Sequence, residues 1–214
     1  MHTPALTRQR VYDPVLRLIH AWNALMVVLL LVSSQLAALL QHDWPVPALW
    51  RLHLWCGYLL FLGLTARLTW GLAGPRHARL TELWQPAAWL EALRERRFFV
   101  PPRRFGHHPP ATLGYVGFYA LAWLMVITGL GLAAIDQGVG PLYFVLGYDF
   151  LRTDWFRRPH DWLEELILAY VLLHLAALVL HERWHGVPMA QAMVSGYQYL
   201  QSERKDNDGQ SNPT

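Results

Sequence analysis

His160 and His174 stand fourteen residues apart in the last long apolar run of the chain, residues 159–181. On an α-helix that spacing is about 21 Å of rise and nearly four whole turns, so the two rings share a face at two different depths. Imidazole offers a metal a ring nitrogen, and here it is offered twice. Ionisable side chains are costly inside a bilayer and mark functional paths there, so two on one face suggest two cofactor sites stacked along the membrane normal. His20 and His53 fall within two earlier apolar runs and complete a set of four.

The elements that must position these rings follow from composition. Of the 214 residues 54% are hydrophobic and 15% charged, and the charges gather between long uncharged runs, as in a multi-span membrane protein. The net charge of +3 comes from basic residues that separate apolar runs and form no stripe on a folded domain, which argues against a nucleic-acid partner. Cys56 is the only cysteine. That excludes a disulfide framework, a cysteine-ligated iron–sulfur cluster and covalent haem attachment.

Four spans are expected, at about 18–40, 52–72, 111–135 and 159–182. They make an all-α fold, an integral membrane four-helix bundle, within one domain of residues 1–200. Residues 26–32 resemble the apolar core of a signal peptide, but the run continues past the small residues that follow, which favours a retained helix. Pro45 and Pro47 keep the connection 41–51 from being helical throughout, and Gly74-Pro75 end the second span. Residues 76–104 carry seven arginines against three glutamates, and within them 83–99 reads as a helix lying in the interface or as a solvated loop helix. Gly114, Gly117, Gly129 and Gly131 suit close packing of the third span in lipid. The aromatic loop 136–158 holds an apolar patch, 142–146, too short to cross. Residues 186–199 read as a short amphipathic helix and 201–214 as a disordered polar tail. Lys and Arg number thirteen in the two terminal segments and the second connection, against four in the first and third connections, which places both termini in the cytoplasm.

With that orientation the depths of the histidines sort into pairs, His53 with His160 outside and His20 with His174 inside. Two axial histidines from opposing helices suit a low-spin, six-coordinate haem b with no open iron position, hence electron carriage and not oxygen activation. Two haems b stacked in this way would let electrons cross a bilayer. Arg67 follows His53 by fourteen residues, which brings it to the depth of the inner pair. There it could meet haem propionates, or simply snorkel to the inner interface. His20 or His53 alone would read as an interfacial histidine; four depth-matched rings favour ligation. His181 lies about 31 Å of helix from His160 and reads as interfacial or as part of a quinone site. His2, His42, His77, His107, His108 and His185 fall in polar segments and read as surface residues.

Several stretches carry a family resemblance: Val11-Tyr-Asp-Pro-Val-Leu-Arg-Leu-Ile-His20, His53-Leu-Trp-Cys-Gly-Tyr58, Arg67-Leu-Thr-Trp-Gly-Leu-Ala-Gly-Pro-Arg-His-Ala-Arg79, and the helix bearing His160 and His174. In order and spacing, over residues 11–196, the chain resembles the bacterial cytochrome b561-type family. That family includes the di-haem cytochrome b subunits of membrane-bound nickel-iron hydrogenases and is similar in plan to formate dehydrogenase cytochrome subunits. The resemblance implies His20, His53, His160 and His174 as ligands of two haems b, and a quinone site near the cytoplasmic haem for which Arg17, Asn23 and His181 are candidates by depth. Tyr12 and Ala66 stand where the family often has larger aromatics, and the third connection does not align.

The resulting expectation is a multi-pass di-haem cytochrome b of the bacterial inner membrane. It would pass electrons between a periplasmic redox partner, hydrogenase-like or a cytochrome c, and the quinone pool, with a homodimer possible. A stand-alone quinol or superoxide oxidoreductase would use the same haems. A histidine-lined proton or metal transporter would need acidic partners within the spans, and only Glu164 and Glu165 come near.

Overall fold

The computed structural model describes residues 6–40, 46–83, 109–186, 188 and 190–201, with isolated positions 86, 90 and 94. Four long helices carry the chain: α1 Pro14–Leu40, α2 Val46–Ala73, α3 Pro109–Gln137 and α4 Thr153–His185. All four are long and apolar enough to cross a membrane. The shortest, α1, has 27 residues, against the roughly 20 that a span requires. The segment expected to lie along the interface, 83–99, and the polar tail fall largely outside the described residues.

Every helix starts before its expected span. Pro47 sits in the first turn of α2, where its missing N–H has no helical partner to lose, so the helix begins at Val46 and the preceding connection is shorter than 41–51. Pro159 lies inside α4 instead of opening it. A single proline removes one backbone bond, which the polar stretch 153–158 tolerates at the membrane surface. The patch 142–146 forms one short turn, Tyr143–Leu146, as its length requires.

The inner end of α1 is anchored by Asp13. Its Oδ1 accepts from the backbone N–H groups of Val15 and Leu16, both at 3.0 Å, and from Trp70 Nε1 at 3.2 Å. One carboxylate thus caps α1 and ties it to the last turns of α2. Asp13→Ala should lower stability by about 1–2 kcal/mol, read as a reduced thermal midpoint in detergent.

Residues 186–199 do not form the expected amphipathic helix. One turn, Ala192–Ser195, is stopped by Gly196 at φ +85°, and a strand follows, β2 Tyr197–Gln201. It pairs antiparallel with β1 Leu6–Arg10, from Leu6 opposite Gln201 to Arg10 opposite Tyr197. The Gly196 carbonyl accepts from Val11 N and Tyr12 N at 3.0 and 3.2 Å, and the Arg8 guanidinium lies 5.3 Å from the centre of the Tyr197 ring. A glycine in the left-handed region ends the helix, and Tyr-Gln-Tyr suits a strand once a partner exists. That partner comes from the opposite end of the chain.

The bundle is two helix pairs. α1 lies along α2 and α3 along α4; the pairs meet through α2 and α3, while α1 and α4 barely touch. Leu60 and Leu64 of α2 pack with Met26 of α1, Ala122 and Val126 of α3 and Ile167 of α4. Glycines permit the close crossings: a Cβ on Gly63 would sit 2.0 Å from Asn23 Oδ1, and one on Gly131 would enter the Phe156 ring. Leu172, Leu173, Leu175 and Val179 of α4 remain exposed, a face suited to lipid.

Candidate functional site

His53, early in α2, and His160, in the first turns of α4, face each other with ring centres 6.3 Å apart and planes at 73°. A metal–imidazole bond of about 2.0 Å on each side, with roughly 1 Å from each nitrogen to its ring centre, places two ligands of one ion about 6 Å apart. The observed spacing fits.

The hydrogen bonds decide which nitrogen is free. His53 Nδ1 lies 3.2 Å from the Leu30 carbonyl and 3.1 Å from Ser33 Oγ, whose own proton goes to that carbonyl at 2.9 Å. A carbonyl only accepts, so Nδ1 carries the hydrogen and Nε2 keeps its lone pair. His160 is held in the same way. Its Nδ1 lies 2.9 Å from Thr128 Oγ1, and that hydroxyl donates to the carbonyls of Met125 and Leu124 at 2.9 and 3.0 Å. Gly129 leaves room beside the ring, since a Cβ there would come within 3.1 Å of His160 Cε1. Both imidazoles are therefore oriented through Nδ1 and offer Nε2, as ligating histidines do. One turn beyond His160, Glu164 Oε1 accepts from Ser34 Oγ at 2.5 Å and Gln35 Nε2 at 3.0 Å, a polar link between α4 and α1.

At the other depth, His20 of α1 and His174 of α4 are near enough for their charges to couple. His174 is exposed on its helix and stacks on Tyr170, with ring centres 6.1 Å apart and planes at 8°. Arg67 is 3% exposed; Nη2 donates to the Ala78 carbonyl at 3.0 Å, and the guanidinium also lies beside the Tyr119 hydroxyl. Asn23 is buried beside Gly63, near the Tyr119 hydroxyl. Arg17 Nη1 donates to the Ser195 carbonyl at 3.3 Å and so clasps the C-terminal segment. His181 lies two turns past His174 towards the inner end of α4. Among the described residues no group of three or more His, Cys, Asp or Glu side chains forms a cation cage. The donor set is paired rings, which suits a planar macrocycle bound from both faces.

The family profile of the prokaryotic cytochrome b561 matches residues 11–196. The chain belongs to that family. Its curated relatives include a probable Ni/Fe-hydrogenase B-type cytochrome subunit of Azotobacter vinelandii, 25% identical over 92% of this chain and 90% of the relative. One of the same description from Azotobacter chroococcum is 26% identical with the same coverage, and one from Rhodobacter capsulatus is 24% identical over 91% and 82%. No solved structure matches significantly. This cytochrome b561 is thus an integral membrane, b-type electron-transfer protein that uses haem b.

The hydroxyls of Ser33 and Thr128 lie against Nδ1 of His53 and His160, and sequence reading passes over them. Their signal was present as polar residues inside apolar spans, but without the pairing of helices neither points to a histidine. Thr128→Val keeps the shape and removes the acceptor for His160. Haem held at His160 should bind about 10–100-fold more weakly, read as a drop in haem content and a shifted midpoint potential in a redox titration.

Proposed function

We propose that this cytochrome b561 holds two haems b, on His53 with His160 and on His20 with His174, and carries electrons through the bacterial inner membrane between a periplasmic redox partner and the quinone pool. The observation that supports this reading is the 6.3 Å pairing of His53 and His160, whose Nδ1 atoms are both tied back, with His174 standing about 21 Å of helix rise from His160 on the same helix. Haem b, when bound, supplies a one-electron ferric–ferrous couple. His53 with His160 and His20 with His174 would hold the haems from both faces, which would leave no site for oxygen or substrate on the metal. The apolar faces of the four helices exclude water and ions from the path between the two depths.

The printed names of the relatives favour a hydrogenase-like partner on the outer side, with a cytochrome c as the alternative. At the inner side a quinone takes two electrons and two protons to become quinol, or the reverse, with Arg17, Asn23 and His181 as candidate contacts by depth. Arg67 sets a fixed positive charge at that level, suited to a haem propionate or another acceptor. The test is haem stoichiometry and a reduced-minus-oxidised spectrum of detergent-purified protein, with a quinol analogue as reductant. Two low-spin haems b per chain, both reduced by quinol, are expected; a colourless protein, or a single haem, would overturn the reading.

A further inference from the structure

The ribbon that joins the two ends of the chain carries charge that its own pairing does not use. Side chains alternate along a strand and directly paired residues share a face, so Arg8 opposite Tyr199 and Arg10 opposite Tyr197 present two guanidiniums and two phenols on one side. Both arginines are exposed, whereas Gln198 on the other side is 3% exposed, which turns that side to the protein. Neither strand contains a carboxylate, and among the described residues no ion pair engages Arg8 or Arg10. A third guanidinium stands at the base of the ribbon: Arg17 Nη1 donates to the Ser195 carbonyl, a Cβ on Gly196 would lie 3.0 Å from it, and Arg17 Nε meets no acceptor among the described residues. Asp13, four residues before Arg17, is committed to the cap of α1 and to Trp70. Like charges gathered without a counter-charge favour an anion among them.

The position of the ribbon selects the anion. Arg17 is the last Lys, Arg, Asp or Glu before the uncharged run 18–40, so it marks the level at which water gives way to hydrocarbon. The Arg10 and Tyr197 rung, next to Gly196, is thereby held at the headgroup layer. Guanidinium forks match phosphate oxygens, and tyrosine favours that same layer. Residues two apart on a strand stand about 7 Å apart, which lets Arg8 and Arg10 grip one phosphodiester from two sides. We propose that the ribbon is a binding site for an anionic phospholipid of the inner leaflet, whose phosphate Arg8 and Arg10 hold with Arg17 at the base, and that the bound lipid fastens the two chain ends together.

The experiment is native mass spectrometry of the detergent-purified, haem-loaded protein titrated with phosphatidylglycerol or phosphatidylcholine, with glycerol phosphate as a soluble competitor and haem content as the check on folding. Phosphatidylglycerol should be retained in preference, and its affinity should fall about fivefold in Arg8→Gln or Arg10→Gln and about thirtyfold in the double variant. Arg183→Gln, which removes an exposed arginine near the inner end of α4, should leave that affinity unchanged. If the double variant loses its haem, the two single variants carry the test. Equal retention of both lipids, or an undiminished affinity in the arginine variants, overturns the proposal. An equal loss in Arg183→Gln overturns it in favour of diffuse surface charge, and displacement of the lipid by glycerol phosphate overturns it in favour of a free phosphate.

Discussion

Alanine at His160 is expected to leave a protein with one haem b in place of two, and alanine at His174 to remove the other. On the two-haem function proposed above, each substitution deletes half of a ligand pair. The remaining ring, His53 in one case and His20 in the other, cannot hold a six-coordinate low-spin centre alone. The low-spin absorbance of the reduced protein should fall by about half in each variant. The survivors should also differ. Glu164 stands one turn from His160 and near His53, whereas Arg67 is buried at the depth of the inner pair. A carboxylate stabilises the more positive ferric state and a guanidinium disfavours it, more strongly in a medium of low dielectric than in water. The haem left in His160→Ala should therefore titrate at the higher potential and the one left in His174→Ala at the lower. An unchanged spectrum in both variants would sink the ligand assignment.

The second large effect is on assembly. Gly63→Leu should strip both haems and sharply lower the thermal midpoint, with Gly63→Ala intermediate. A Cβ at this position would lie 2.0 Å from Asn23 Oδ1 and 2.7 Å from Trp22 Cδ1. Neither neighbour can easily move: Asn23 is buried, and the Trp22 indole donates to the Leu59 carbonyl at 3.0 Å. Added bulk must therefore separate α1 from α2, at about 1–3 kcal/mol for modest overpacking and more for a leucine. Because α1 carries His20 and α2 carries His53, that separation displaces one ring of each proposed pair. Thermal unfolding and haem content, followed together in detergent, test the coupling. A destabilised Gly63→Leu protein that kept both haems would contradict it.

Both predictions draw on features of different legibility. The four spans could be read from sequence because burial in lipid forces long uncharged runs. Pro47 and Pro159 misplaced the helix starts, since a proline near a helix end is tolerated for reasons that span length does not register. The strand Tyr197–Gln201 was invisible locally, because its partner, Leu6–Arg10, lies at the far end of the chain. Ser33 and Thr128 escaped for a related reason: each acts on a histidine of a neighbouring helix, and only the packing shows which one. A cavity beside Arg67 arises where the turn after α2 folds back. Gly71 makes that possible, as a Cβ there would meet Leu80 Cγ at 2.7 Å.

The ribbon of Leu6–Arg10 with Tyr197–Gln201 bears on the biogenesis of the protein. Its first strand leaves the ribosome before any helix and its second after all four, so the ribbon can close only when the last helix has returned to the side from which the first departed. A chain stalled after three crossings leaves Leu6–Arg10 without a mate and the Gly196 carbonyl on the wrong side of the lipid. Closure of the ribbon thus distinguishes completed insertion from every partial product, and proteolysis of the N-terminal segment during synthesis would report the moment at which it happens.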